Sequence, residues 1–152
     1  MSRLRSFLAL PPSRKRLFVV ALALTVLVRA GLVLFSFRRT GALLDRLPGS
    51  DGRQSAGDDG QPSSSEGHPP RAEIRWAVTM AGNQVPNTTC LPRALVAHTL
   101  CRRAGHPSNL YVGVDRESEE FVAHSWVESH GEVVVGDEVD LENFETLGVV
   151  DP

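Results

Sequence analysis

The chain has 152 residues, of which 41% are hydrophobic and 22% are charged, and this is enough apolar material for a globular domain. These values exclude a wholly disordered chain, and the presence of only two cysteines excludes a disulfide-bonded scaffold and favours a reducing, cytoplasmic compartment. The net charge of −2 conceals an asymmetry, because residues 1–47 are predominantly basic whereas residues 72–152 are predominantly acidic.

The first predicted element is the apolar run at residues 17–37, LFVVALALTVLVRAGLVLFSF. It is long enough to span a bilayer, but Arg29 lies within it and would cost about 2.5–3.5 kcal/mol to insert. No small-residue cleavage site of a secretory signal follows the run, and basic residues flank both of its ends. We therefore predict a buried helix or helical hairpin within an N-terminal region of residues 1–47, and membrane contact through residues 17–37 is the alternative.

A change in composition separates this region from the rest of the chain. Residues 48–71 consist mainly of Gly, Ser, Pro, Asp and Gln without periodicity, which predicts a flexible linker. From Ala72 apolar residues recur at helical spacing, and a second helix of this region is predicted to have Cys90 in its first turn and to end before Gly105. Alternating apolar residues then predict an antiparallel meander, so residues 72–150 are expected to form an α+β core.

Cys90 is a candidate nucleophile because it is predicted to lie in the first turn of the second helix. The positive end of the helix dipole and the unpaired backbone N–H groups there favour a thiolate over a thiol. Taken alone, Cys90 is explained equally well as a buried apolar side chain. His98 and Cys101 fall in the middle of the same helix and are expected to be structural, and neither a metal site nor a cofactor site is predicted.

The hairpin pattern supplies a base and an acid for this cysteine. If His130 and Gly131 form a two-residue loop, counting back along both strands places His124 opposite Asp137. Cross-strand partners are close enough for an imidazole to donate to a carboxylate. A bulge or a three-residue loop would destroy this pairing, because a slip of one residue moves Asp137 to the other face.

Two sequence blocks support a resemblance to a known family. CLPRAL begins at Cys90, and AHSWVE at residues 123–128 is followed by VVVGD, which ends at Asp137. Together with the spacing between them, these blocks resemble the B2 proteins of lasso peptide biosynthesis, the stand-alone counterparts of the C-terminal domain of the microcin J25 processing protein. The resemblance implies a transglutaminase-like, papain-related cysteine peptidase fold, in which Cys90 is the nucleophile, His124 the base and Asp137 the acid.

The same resemblance implies an activity and a set of partners. The enzyme would remove the leader from a ribosomally made precursor peptide before a partner ATP-dependent cyclase closes the macrolactam ring. A separate winged-helix protein would recognise the leader, and no nucleic-acid partner is expected. Another transglutaminase-like acyl transferase or amide hydrolase, and a non-catalytic peptide-binding module, are the alternatives. Gln84 has the spacing of an oxyanion glutamine but is read as a solvated residue at a helix end, and Trp126 is expected in the core.

Overall fold

The structure is a computed structural model that describes residues 11–34, 68–118 and 120–150. Three helices come first in these ranges: α1 (Pro12–Leu34), α2 (Arg71–Gly82) and α3 (Cys90–Arg103). Four strands follow, β1 (Asn109–Asp115), β2 (Ala123–Ser129), β3 (Glu132–Val135) and β4 (Phe144–Val150), with a 3₁₀ turn at Leu141–Asn143. The strands form one antiparallel sheet in the order β3-β2-β1-β4. The predicted α+β class is therefore confirmed.

Helix α1 is one continuous helix from Pro12 to Leu34, so the alternative of a helical hairpin does not hold within this range. One face of α1 packs against α2 and α3. Thr25 lies on that buried face, where its hydroxyl donates to the carbonyl of Ala21 at 2.7 Å and is thereby satisfied. Residues 48–67 of the predicted linker, and residues 35–47 before it, lie outside the described residues.

The core lies between the helices and one face of the sheet. Helix α2 buries Ile74 and Val78 at the predicted helical spacing, α3 buries Leu95, and the sheet contributes Leu110 and Val127. Burying an aliphatic side chain of this size stabilises the fold by about 1.5–3 kcal/mol relative to leaving it exposed. Packing of α3 against β2, rather than its own helix propensity, therefore holds α3 and its first residue in place.

Helix α3 ends just before Gly105, as the sequence predicts. Gly105 has φ +75°, and the backbone N–H of His106 donates to the carbonyl of Cys101 at 2.8 Å. The N–H of Gly105 donates to the carbonyl of Arg102 at 3.0 Å, and these two bonds together form a Schellman motif. The chain then turns directly into β1, which lies beside β2.

The β2–β3 hairpin begins as predicted and then departs from the prediction. His130 and Gly131 form the two-residue loop with φ +53° and +76°, and Ser129 pairs with Glu132. Between Glu128 and Val127 the register shifts by one residue, so that Val127 pairs with Val135. This irregularity separates the regular part of the hairpin from the end of the sheet where β3 stops.

Candidate active site

Cys90 is the first residue of α3, which confirms its predicted place in the first turn, and Thr89 is the extended N-cap of the helix. The thiol is half-buried and borders a cavity of about 340 Å³. The cavity lies where β3 ends, between the start of α3 and the strands β2 and β3. Its lining residues are Thr88, Thr89, Cys90, Arg93, His124, Ser125, Val135, Gly136 and Glu138. The structure thus brings Cys90 and His124, which are far apart in sequence, to one cavity.

The imidazole of His124 has a defined orientation. Its ring stacks on Trp126 with centroids 6.4 Å apart and contacts Phe144 with centroids 5.6 Å apart. The Nε2 atom lies 2.8 Å from the carbonyl oxygen of Gly136. Because a carbonyl can only accept, Nε2 carries the hydrogen, and Nδ1 of the neutral ring is then the atom with a free lone pair. This tautomer suits a general base.

Gly136 is required where the chain leaves β3. It has φ +99°, and a Cβ atom at this position would lie 2.5 Å from the Cβ of Trp126 and 2.9 Å from the carbonyl oxygen of Ser125. Only glycine fits such a close approach to β2 with a positive φ. The crossing brings the Gly136 carbonyl to His124, and sequence reasoning missed this role although the glycine lies within the VVVGD block.

The predicted cross-strand pair of His124 and Asp137 is wrong. The register shift and the end of β3 at Val135 remove Asp137 from the ladder. Its carboxylate binds Arg75 of α2 instead, with Oδ2 at 2.6 Å from Nη2, while the imidazole bonds to the neighbouring Gly136 carbonyl. A slip of one residue moves a side chain to the other face of a strand, which is why the simple hairpin count failed.

Arg93 is a cavity residue to which sequence reasoning assigned no role. It lies one helical turn after Cys90, and its guanidinium contacts Glu138 at 3.4 Å and the side-chain oxygen of Asn83 at 3.2 Å. Its stem passes over Gly82, where a Cβ atom would lie 2.7 Å from Nε. Nε is buried without a hydrogen-bond partner among the described residues. The i,i+3 spacing from the cysteine was the signal that could have identified it.

The other residues that the sequence analysis considered have surroundings that explain them without a catalytic role. Trp126 is buried and stacks on Tyr111 with centroids 5.5 Å apart, so it belongs to the interior and also forms a wall beside His124. Gln84 is exposed after the end of α2, which agrees with its reading as a solvated residue. Cys101 is fully buried, and burial raises the pKa of its thiol to about 12. That environment disfavours a reactive thiolate.

The family of this chain follows from a comparison with family models. The model described as the transglutaminase-like superfamily matches residues 21–149. The matched range begins inside α1, ends in β4 and includes every residue that lines the cavity. Neither a curated protein nor a solved structure matches the chain significantly.

Proposed function

Because the chain belongs to the transglutaminase-like superfamily, we propose that it is a cysteine peptidase that removes the leader from a ribosomally synthesised precursor in lasso peptide biosynthesis. The observation that carries the catalytic part of this proposal is the meeting of Cys90, at the start of a helix, and His124 at one cavity. The CLPRAL and AHSWVE blocks support the choice of substrate, because they resemble those of B2 proteins.

The proposed reaction begins at the thiol of Cys90. His124 Nδ1 accepts the thiol proton, and the thiolate attacks the carbonyl carbon at the junction of leader and core peptide. The resulting oxyanion accepts a hydrogen bond from the backbone N–H of Cys90, one of the unpaired donors of the first helical turn. Protonated His124 then gives its proton to the departing amine of the core peptide. Water hydrolyses the thioester and releases the leader with a free carboxylate.

Asp137 acts in this proposal as a positioning residue. Its ion pair with Arg75 anchors the segment that follows β3 to helix α2. That segment presents the Gly136 carbonyl to His124 Nε2. The carboxylate thus orients the imidazole through the backbone of the adjacent residue, and the carbonyl takes the place of the acid in contact with the ring.

Arg93 is assigned to substrate binding. Its guanidinium borders the cavity on the same helical face as the nucleophile, and its long contact with Glu138 leaves donor capacity for a substrate oxygen. An extended peptide in the cavity presents backbone carbonyls of this kind. A separate winged-helix protein would deliver the leader, and an ATP-dependent cyclase would consume the core peptide.

The nucleophile is tested with purified precursor and the leader-binding partner. Cys90→Ala should leave a folded protein that releases no leader, as followed by mass spectrometry. Cys101→Ala is the matched control, because it removes the other thiol from the same helix and lies outside the cavity. Its cleavage rate should stay close to that of the wild type. Release of leader by Cys90→Ala at the wild-type rate would refute the assignment.

An acyl transferase of the same superfamily is the second candidate, because the family match supports both chemistries. It differs in the last step, in which an amine rather than water takes the acyl group from Cys90. Adding a primary amine in excess over the precursor discriminates between them. A leader that ends in a carboxylate supports the peptidase, and a leader amide supports the transferase.

A further inference from the structure

The outward side of α1 is apolar from Val19 to Leu34. We call this surface the outer face. At 3.6 residues per turn its residues fall within a sector of about 140°, and they extend over about 22 Å of the helix. The exposed residues that form it are Val19, Val20, Ala23, Val26, Leu27, Ala30, Val33 and Leu34.

This arrangement differs from that of an ordinary surface helix. The opposite side of α1 is already buried against α2 and α3, so both sides of the helix are apolar. A helix that packs on a water-soluble domain normally has polar residues on its outward side. Val33 and Leu34 are instead 71% and 72% exposed. A contiguous apolar patch of this kind marks a binding surface.

The charges on α1 indicate what binds there. Its sequence contains no acidic residue, and the basic residues Arg14, Lys15 and Arg16 stand in its first turns. Arg16 is exposed and falls within the sector of the outer face, at its N-terminal end. An apolar strip next to basic side chains complements a surface of anionic headgroups over hydrocarbon.

The contacts of α1 with the domain determine how it can meet a membrane. Among the described helices it is long and apolar enough to span a bilayer, with 23 residues and an 18-residue window whose mean hydropathy is 2.6. Its inner face, however, packs in the protein core, and Arg14 forms an ion pair with Glu73 of α2 at 2.9 Å. A spanning orientation would draw this ion pair and the charged faces of α2 and α3 into hydrocarbon, at a cost of several kcal/mol per ion.

We propose that α1 lies parallel to a membrane that contains anionic lipid, with its outer face in the interface and the cavity domain in the aqueous phase. A helix in this position buries its apolar side about 5–10 Å into the boundary between headgroups and acyl chains. The proposal does not depend on the peptidase assignment, because none of the residues of the outer face lines the cavity.

The experiment is flotation of the purified full-length chain with vesicles. One set consists of phosphatidylcholine with about 30% phosphatidylglycerol and the other of phosphatidylcholine alone. We expect the protein to float with the anionic vesicles, with bound protein decreasing at about 1 M salt compared with about 0.1 M because salt screens the basic residues. The double variant Val19→Asp, Val26→Asp should bind at least about tenfold more weakly, since both carboxylates would enter the interface.

The control variant carries the same change on another exposed surface. Leu147 and Val149 of β4 are 66% and 57% exposed, so Leu147→Asp, Val149→Asp adds equal charge away from α1. This control should float like the wild type, and thermal melting should show that both variants are folded. Equal flotation of the two double variants would overturn the proposal, as would absence of wild-type binding. A wild-type dimer that only the α1 variant dissociates would assign the outer face to a second copy of the chain.

Discussion

The unit formed by α3, β2 and β3 has two ends that differ in character. At the turn end, Ser129 donates to the Pro107 carbonyl at 2.6 Å, Arg71 donates to the Ser129 carbonyl at 2.5 Å, and Cys101 is fully buried. At the cavity end, the chain crosses close to β2 at Gly136, and Cys90 is half-buried. One helix therefore carries two cysteines in opposite environments.

The difference between the ends shows how this fold separates stability from reactivity. At the turn end, short hydrogen bonds and regular strand pairing hold the elements together. At the cavity end the N-terminus of α3 has no side-chain cap, Nε of Arg93 is buried without a partner among the described residues, and the chain crosses irregularly at Gly136. An unpaired buried donor is costly and is tolerated where a ligand can use it.

The largest effect is expected from substituting the glycine at the cavity end, and the glycine at the turn end serves as the comparison. Gly136→Ala should destabilise the fold by about 3 kcal/mol or more and abolish cleavage, because the methyl group meets the backbone of β2 and the residue has a positive φ. Gly131→Ala should cost only about 1 kcal/mol, since its position strains φ but a Cβ meets no atom of the described chain within 4 Å.

Urea unfolding and a cleavage assay measure both glycine variants. An activity loss in Gly131→Ala as large as that in Gly136→Ala would contradict the separation of the two ends. Cleavage by a stably folded Gly136→Ala would show that the chain crossing does not orient His124.

The Arg75–Asp137 ion pair should have the next largest effect, on rate rather than on stability. Asp137→Asn and Arg75→Gln should each slow cleavage by about 10–100-fold, because a displaced carbonyl misorients the imidazole. Both side chains are more than 40% exposed, so each variant should change the free energy of unfolding by no more than about 1 kcal/mol.

Comparing these two variants distinguishes positioning from direct contact. If Asp137 acts through its anchor on α2, the two variants shift the pH profile of cleavage alike. If its carboxylate instead contacts the imidazole during the reaction, Asp137→Asn alone alters the profile and Arg75→Gln keeps the wild-type rate. The second result would restore the direct acid role.

The smallest effect concerns the contribution of Cys101 to stability and appears only at alkaline pH. Burial raises the pKa of Cys101 from 9.0 to about 12, so the protonated thiol stabilises the fold fully below 9.0. Above 9.0 the unfolded chain releases the proton first, and this stability is lost as the pH approaches 12. The free energy of unfolding, measured with urea, should therefore fall more with rising pH in the wild type than in Cys101→Ala.

Iodoacetamide labelling tests the same contrast at neutral pH. Cys90 should label at least about tenfold faster than Cys101, because Cys101 is buried and protonated. Peptide mapping assigns the label to each cysteine. Equal slow labelling of both would favour a non-catalytic peptide-binding module.

Local patterns predicted those parts of the site that depend on neighbours in sequence. Gly105 marked the end of α3, and His130-Gly131 marked the two-residue loop, because both positions need a positive φ that only a few residues adopt readily. The first-turn position of Cys90 followed from the helical spacing of the apolar residues after it. The partner of His124 could not be predicted in this way, because it depends on the register shift between β2 and β3, which no residue near His124 indicates.

The sequence by itself determined the helices, the hairpin turn and the residue types available for catalysis, since backbone preferences and hydrophobic periodicity act over a few residues. Only the tertiary structure decided that a backbone carbonyl rather than a carboxylate meets the imidazole. Only packing decided, too, that α1 buries one apolar side and exposes the other. Both outcomes depend on contacts between residues far apart in the chain, where a shift of one residue in register changes which groups meet.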